Sequence, residues 1–307
     1  MKVLVATEKP FAPVAIEGIR SEIESAGHQL ALLEKYASAA ELIEALADVD
    51  ALIIRSDKIT ADIIAAAPQL KIIVRAGAGY DNVDLPAATA RGIIVENTPG
   101  QNANAVAELA FGMLIMAVRN MYAGTAGSEL IGKTIGIQGF GNIGRRVAHI
   151  AQGFDMNVSA YSRRPNPDAT MALNNIHCAP TLQDLYANNR FISIHIPSTP
   201  ETRGSIGYDL ITLMPQGGVI INTARKEVID EAGLARALEQ RPDLKYVADI
   251  APDNADELLA RFPGRVYFTP KKLGAQTAEA NINAGIAAAR QIVAYFLNGD
   301  TRFQVNK

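Results

Sequence analysis

Short apolar runs alternate with amphipathic stretches from the first residues onward. Val3–Ala6, Gln29–Leu33, Ala51–Arg55, Lys71–Arg75 and Ile93–Glu96 read as strands. Between them Ile16, Ile19 and Ile23 recur at helical spacing, with Glu17, Arg20 and Glu24 on the other side, and Ala40–Ala47, Ala61–Ala67 and Leu85–Arg91 read as further helices. A longer helical pattern runs from Asn102 to about Asn120. The alternation then resumes, with strand candidates at Thr134–Gln138, Met156–Ser162, Arg190–His195, Gly218–Asn222, Tyr246–Ile250 and Val266–Phe268, and the clearest helix between them at Leu234–Gln240. The Ala- and Ile-rich segment Thr277–Leu297 is a last helix that stops at Asn298-Gly299. Apolar strands joined by crossover helices imply mostly parallel sheets, one before Thr98 and one after Lys133, each with helices on both faces. The expected class is α/β with two doubly wound parallel-sheet domains, and sites at the carboxyl ends of the strands.

The first strand of the second sheet runs into Gly139-Phe140-Gly141-Asn142-Ile143-Gly144 and then a helix. This is the G-x-G-x-x-G spacing in its required strand–turn–helix context. The first glycine permits the tight turn, and the second lets a pyrophosphate approach the backbone. The third lets the helix pack on the strand, and the helix N-terminus offers N–H groups to the phosphates. A dinucleotide is therefore expected. Its identity turns on the end of the next strand, where an acidic residue holds the ribose hydroxyls of NAD. This chain has Tyr161-Ser162-Arg163-Arg164 there. Two guanidiniums without a carboxylate suit a 2′-phosphate, so local chemistry tilts toward NADP or use of both cofactors. The plainer alternative is NAD bound without its acidic anchor, beside a solvated arginine edge.

Composition narrows the setting. With 307 residues, 49% of them hydrophobic, the chain has material for two cores. A net charge of −3 without a basic run argues against a nucleic-acid surface. The apolar runs are too short for a bilayer, the N-terminus enters a strand directly, and the single Cys178 has no internal disulfide partner. A cytoplasmic protein is expected, with no membrane or nucleic-acid partner.

Several segments together resemble the D-isomer-specific 2-hydroxyacid dehydrogenase family. They are Arg75–Asp84, Asn97–Asn102 with Val106–Leu109, Gly139–Gly144, Ile194–Pro197 with Thr202, Ile221–Arg225 with Asp230 and Leu234, and Thr269-Pro270 with Gly274–Thr277. The resemblance spans nearly the whole chain. It implies a Rossmann-like cofactor domain (99–282) inserted in a flavodoxin-like substrate domain (1–98 and 283–307), a homodimer through the cofactor domains, and hydride transfer between a nicotinamide cofactor and a D-2-hydroxy acid. It favours NAD, and it adds His195, Ile196, Pro197, Thr202, Thr223, Ala224, Arg225, Asp249 and Gly274 to the expected cofactor contacts, with Asp249 on the nicotinamide amide. No metal is implied.

Oxidising a 2-hydroxy acid needs a cation on the carboxylate and reacting oxygen, and a base for the hydroxyl proton. Arg225 is the expected cation, because its fork binds both oxygens; the plainer reading is an ion pair with Glu227 or Asp230. Where the family has a histidine after Thr-Pro, this chain has Lys271-Lys272 and one extra residue before Gly274. One of these lysines is the expected acid/base, its pKa lowered by burial or by its neighbour; the alternative is a solvated basic corner. The family's tuning Glu is also replaced, by Asn254, with Asp253, Asp256 and Glu257 close in sequence. For the substrate, the backbone N–H groups of Ala76, Gly77, Ala78 and Gly79 suit a carboxylate, and Arg55, Ser56, Lys58, Arg75 and Asn102 suit a phosphate. That cation pair fits 3-phosphoglycerate better than lactate or glyoxylate, unless both arginines only pair with Asp57 and Asp81. An NADP-linked glyoxylate or hydroxypyruvate reductase and a non-catalytic cofactor sensor are the competing readings.

Overall fold

The structure is a computed structural model that describes residues 1–163, 171 and 175–307; Arg164 of the expected cofactor contacts lies outside the described residues. The chain divides into two compact units, Met1–Asn102 with Gln276–Lys307, and Ala103–Ala275.

The first unit holds five parallel strands, β1 (Lys2–Thr7), β2 (Gln29–Glu34), β3 (Ala51–Ile54), β4 (Ile72–Arg75) and β5 (Ile94–Asn97), in the order β2-β1-β3-β4-β5. Strand alternation splits their side chains between two cores. Leu4, Ala6, Leu52 and Ile54 pack on one face, and Val3, Val5, Ala51 and Ile53 on the other. Both faces are buried, which is why these strands read as continuous apolar runs. The second face is covered by the helix Pro13–Ser25 and by the helix Ala278–Asn298. Those helices approach closely: a Cβ on Gly18 would lie 2.6 Å from Ile286 Cδ1, and one on Gly285 would lie 3.0 Å from Ile19 Cδ1. Thr277 caps the last helix by accepting the Ala280 N–H, and Gly299 ends it in a left-handed conformation.

The second unit holds seven parallel strands, β6 (Thr134–Gln138), β7 (Asn157–Tyr161), β8 (His177–Cys178), β9 (Phe191–Ile194), β10 (Val219–Asn222), β11 (Lys245–Ala248) and β12 (Val266–Phe268), in the order β12-β11-β10-β9-β6-β7-β8. One face is packed by the helices Ala103–Val118 and Asn142–Gly153 through Phe111, Leu114, Val147 and Ala148. The other carries Leu185, Ile211, Leu234 and Leu258. The strand order reverses at β6, between β9 and β7, so a crevice opens at the carboxyl ends of these three strands. Both sheets are doubly wound, as the alternating pattern predicts. Strand β8 and the helices Leu182–Asn188, Tyr208–Ile211 and Ala255–Arg261 are additional to it.

Among the described residues no helix is long and apolar enough to cross a membrane, and no cluster of His, Cys, Asp or Glu is placed to hold a metal.

Candidate active site

The glycine turn follows β6 at the sheet's switch point. Gly139 has φ +98° and donates its N–H to Tyr161 O at 2.9 Å, and a Cβ there would lie 2.5 Å from His195 O. The first glycine thus serves the turn and the approach of the chain leaving β9. Gly141 stands in extended conformation at the N-cap of the helix Asn142–Gly153, and no side chain caps that helix. Its first N–H groups are left for a ligand. A Cβ on Gly144 would meet Gly139 O at 2.2 Å, so only glycine brings the helix this close to the strand. In front of the turn lies a cavity of about 580 Å³. Its walls include Gly139, Phe140, Gly141, Tyr161, Ser162, Arg163, His195, Ile196, Pro197 and Thr202, all expected contacts. Gln138, Leu182, Glu201 and Ser205 also line it and were not singled out by their sequence. Cavity, glycine cradle and uncapped helix end fit a dinucleotide.

His195 is half-buried. Its Nε2 lies 2.8 Å from Ser193 Oγ and its Nδ1 3.4 Å from Thr223 Oγ1. Burial pushes its pKa down to about 3, so the ring is a neutral hydrogen-bonding member of the cavity wall. Thr202 turns its hydroxyl on its own loop, donating to Pro197 O at 2.7 Å and accepting the Thr199 N–H at 2.7 Å.

Arg225 follows β10 in extended conformation, half-buried. Asn222 shapes this turn: its amide accepts the Ala224 N–H at 3.0 Å and donates to Arg225 O at 3.0 Å. The guanidinium donates to Ala224 O at 2.8 Å and forms no ion pair among the described residues. Asp230, one of the expected alternative partners, is turned elsewhere. The Asp230 carboxylate packs where Cβ atoms on Gly207 and Gly233 would be, and it is Lys226, the next residue, that pairs with Asp253.

The loop after β12 is fastened by Asp249, which is 1% exposed. Its carboxylate accepts the Thr269 hydroxyl at 3.0 Å, the Leu273 N–H at 2.7 Å and the Gly274 N–H at 2.8 Å. These bonds, which sequence does not reveal, make Asp249 the anchor of the loop. Gly274 fits against it; a Cβ would be 2.9 Å from Asp249 Oδ2. Lys271 and Lys272 sit at the bend of this loop, and both are exposed rather than buried as the acid/base reading expects. Asn254, in place of the family's Glu, has its backbone N–H held by Glu231 at 3.1 Å, and its buried Oδ1 has no hydrogen-bond partner among the described residues.

In the other unit, Arg75 Nε donates to Arg55 O at 3.0 Å, and its guanidinium lies where a Gly77 Cβ would be, with Nη1 1.5 Å from that position. The Ala76 N–H is taken by Ile54 O at 2.8 Å, because Ala76 extends the β3–β4 ladder. This corrects the expected anion-binding set: Gly77, Ala78 and Gly79 retain N–H groups without a backbone partner among the described residues, and Ala76 does not. Arg55 also departs from expectation. Its guanidinium donates to Lys9 O at 2.9 Å, Pro10 O at 3.0 Å and Asn281 Oδ1 at 2.5 Å and stacks on Phe11, tying a loop to the last helix. Burial lowers its pKa. Asp57, its proposed ion-pair partner, accepts instead from Tyr36 OH and the Glu8 and Arg55 N–H groups. Ser56 is exposed and Asn102 half-buried.

Comparison with known proteins places this geometry. Residues 103–270 match the family model described as D-isomer specific 2-hydroxyacid dehydrogenase, NAD binding domain. D-3-phosphoglycerate dehydrogenase of Methanocaldococcus jannaschii is 37% identical over 269 residues, covering 82% of this chain and 51% of the relative. Hydroxypyruvate reductase of Thermotoga maritima is 37% identical over 270 residues, covering 82% of this chain and 86% of the relative. The chain thus spans about half the length of the Methanocaldococcus jannaschii and Mycobacterium phosphoglycerate dehydrogenases it matches. The crystal structure of NAD+-bound 3-phosphoglycerate dehydrogenase of Entamoeba histolytica is 48% identical, with a TM-score of 0.87 over 100% of this chain and 99% of that one. From its cofactor turn to its two-sheet build, this chain belongs to the D-isomer specific 2-hydroxyacid dehydrogenase family.

Proposed function

We propose that this protein is an NAD-dependent dehydrogenase that oxidises D-3-phosphoglycerate to 3-phosphohydroxypyruvate, the first step toward serine. The observation that carries this reading is its full-length likeness, at 48% identity, to the Entamoeba histolytica 3-phosphoglycerate dehydrogenase. The nicotinamide cofactor, when bound, accepts the hydride from the substrate carbon. The chain supplies the rest. The Gly139–Gly144 turn and the N–H groups at Asn142 and Ile143 receive the pyrophosphate. Arg225, preset by Asn222, binds the substrate carboxylate and reacting oxygen through its fork. Lys271 or Lys272 exchanges the hydroxyl proton, as donor in the reducing direction and acceptor in the oxidising one. The N–H groups of Gly77, Ala78 and Gly79 offer three further donors for an anionic group.

Hydroxypyruvate reduction is the second reading, favoured by the Thermotoga maritima relative, most of whose length this chain covers. Oxidation of NADH and NADPH should be followed with phosphohydroxypyruvate, hydroxypyruvate and glyoxylate. The proposal expects phosphohydroxypyruvate to give the highest kcat/KM. A clear preference for hydroxypyruvate would install the second reading, and nucleotide binding without turnover of any substrate would leave a cofactor sensor. Arg225→Ala should lower kcat/KM by about 10²–10³-fold. If Lys271→Met and Lys272→Met both turn over at wild-type rates, neither lysine carries the proton.

We also propose a cytoplasmic homodimer formed through the cofactor unit. Tyr122, Ile131 and Phe154, 66%, 57% and 40% exposed, are large apolar side chains of that unit left to solvent. Light scattering giving the mass of one chain at micromolar concentration would remove the dimer.

A further inference from the structure

The cofactor cavity carries a negative charge that the sequence pattern does not place there. Strand β7 ends at Tyr161, and Ser162 and Arg163 follow without a carboxylate. The next acidic residue in sequence, Asp168, lies outside the described residues. Yet Glu201, from the loop after β9, lines the same cavity as Tyr161, Ser162 and Arg163.

Its carboxylate is held. Glu201 Oε2 accepts the Thr199 hydroxyl at 2.6 Å. Thr199 is itself fixed by the Thr202 hydroxyl, which accepts the Thr199 N–H and donates to Pro197 O. The Thr199 hydroxyl holds the Glu201 carboxyl below its ordinary pKa, and the Arg163 charge adds to this in the same direction. Arg163 therefore does not face an incoming nucleotide as an unopposed cation.

We propose that Glu201 selects NAD over NADP, taking from the loop after β9 the part that an acidic residue after β7 otherwise plays. The inference rests on the nucleotide-dependent function proposed above. A carboxylate accepts hydrogen bonds from ribose hydroxyls and repels a 2′-phosphate, whose charge is close to −2. Both Glu201 and Arg163 are exposed, so the effect is screened by salt and amounts to about tenfold in affinity. The arginine-rich edge that suggests NADP is offset by an acid some forty residues later.

The test measures dissociation constants for NADH and NADPH by nicotinamide fluorescence, and for 5′-AMP and 2′,5′-ADP by calorimetry, in the wild type, Glu201→Gln and Arg163→Gln. The wild type should favour NADH. Glu201→Gln should shift the NADPH-to-NADH preference about tenfold toward NADPH, mainly by tighter binding of the phosphorylated ligands, and the shift should shrink in 1 M salt. Arg163→Gln should move the preference the other way. An unchanged ratio in a Glu201→Gln variant that melts like the wild type, or a wild type that prefers NADPH, overturns the inference alone. Failure of every nucleotide to bind the wild type removes the proposed function and this inference with it.

Discussion

Each unit carries a glycine-bearing turn directly after a parallel strand, and the two are built differently. After β6, Gly139–Gly144 is crowded by backbone: Gly139 against His195 O, Gly144 against Gly139 O. After β4, Gly77 is crowded by a side chain, the guanidinium of Arg75. Backbone obstacles cannot be moved without moving the sheet, whereas a long side chain can swing away. The first turn is a fixed cradle whose glycines answer to the fold. The second is a loop whose shape is shared with one arginine side chain.

Three measurements put this contrast at risk. The largest effect is expected at Gly144→Val, whose branched side chain drives into Gly139 O and Ile137. It should lower stability by about 3 kcal/mol and abolish nucleotide binding, and no second substitution of a neighbouring side chain should restore either. Urea unfolding with an NADH titration reads both. At Gly77→Ala the loss should be about 2 kcal/mol, combining a backbone at φ +148° with the Arg75 overlap. Adding Arg75→Ala should recover the steric part and leave the backbone part, an interaction visible in a double-mutant cycle. Additive losses would mean that the two turns are alike after all.

The smallest effect concerns the neutral His195. Its folded pKa, about 3, lies below the unfolded value of about 6.5. The unfolded chain thus takes up the proton first as pH falls. The stability linked to this group is full above about pH 6.5 and declines between there and pH 3. From pH 7 to 5.5 the loss should be roughly 1 kcal/mol, and it should disappear in His195→Asn. An unaltered pH slope in that variant would show that the cradle wall does not hold the ring neutral.

Much of this fold is legible in the chain itself. Val3–Val5, Ile135–Ile137 and Val219–Ile221 are unbroken apolar runs because both faces of their sheets are covered, and the 139–144 spacing is local, so a linear reading finds it. What escaped was short, polar or long-range. Strand β8 is two residues, and the helix Ala255–Arg261 buries only Leu258. The bond from the Ala76 N–H to Ile54 O and the triple acceptance by Asp249 join segments about twenty residues apart, which spacing cannot report. Glu201 reads as a loop acid until the fold sets it on the same cavity as Arg163.

The discontinuous first unit has a consequence for synthesis. Val3, Val5, Ile53 and Val74 are made early, but their face has only the helix Pro13–Ser25 as cover until Ala284, Ala288 and Ile292 have left the ribosome. The residues of the second unit, complete at Ala275, are all available to fold before that. The part of the polypeptide that emerges first is the last to be finished, and until then one face of its sheet stays half-clad.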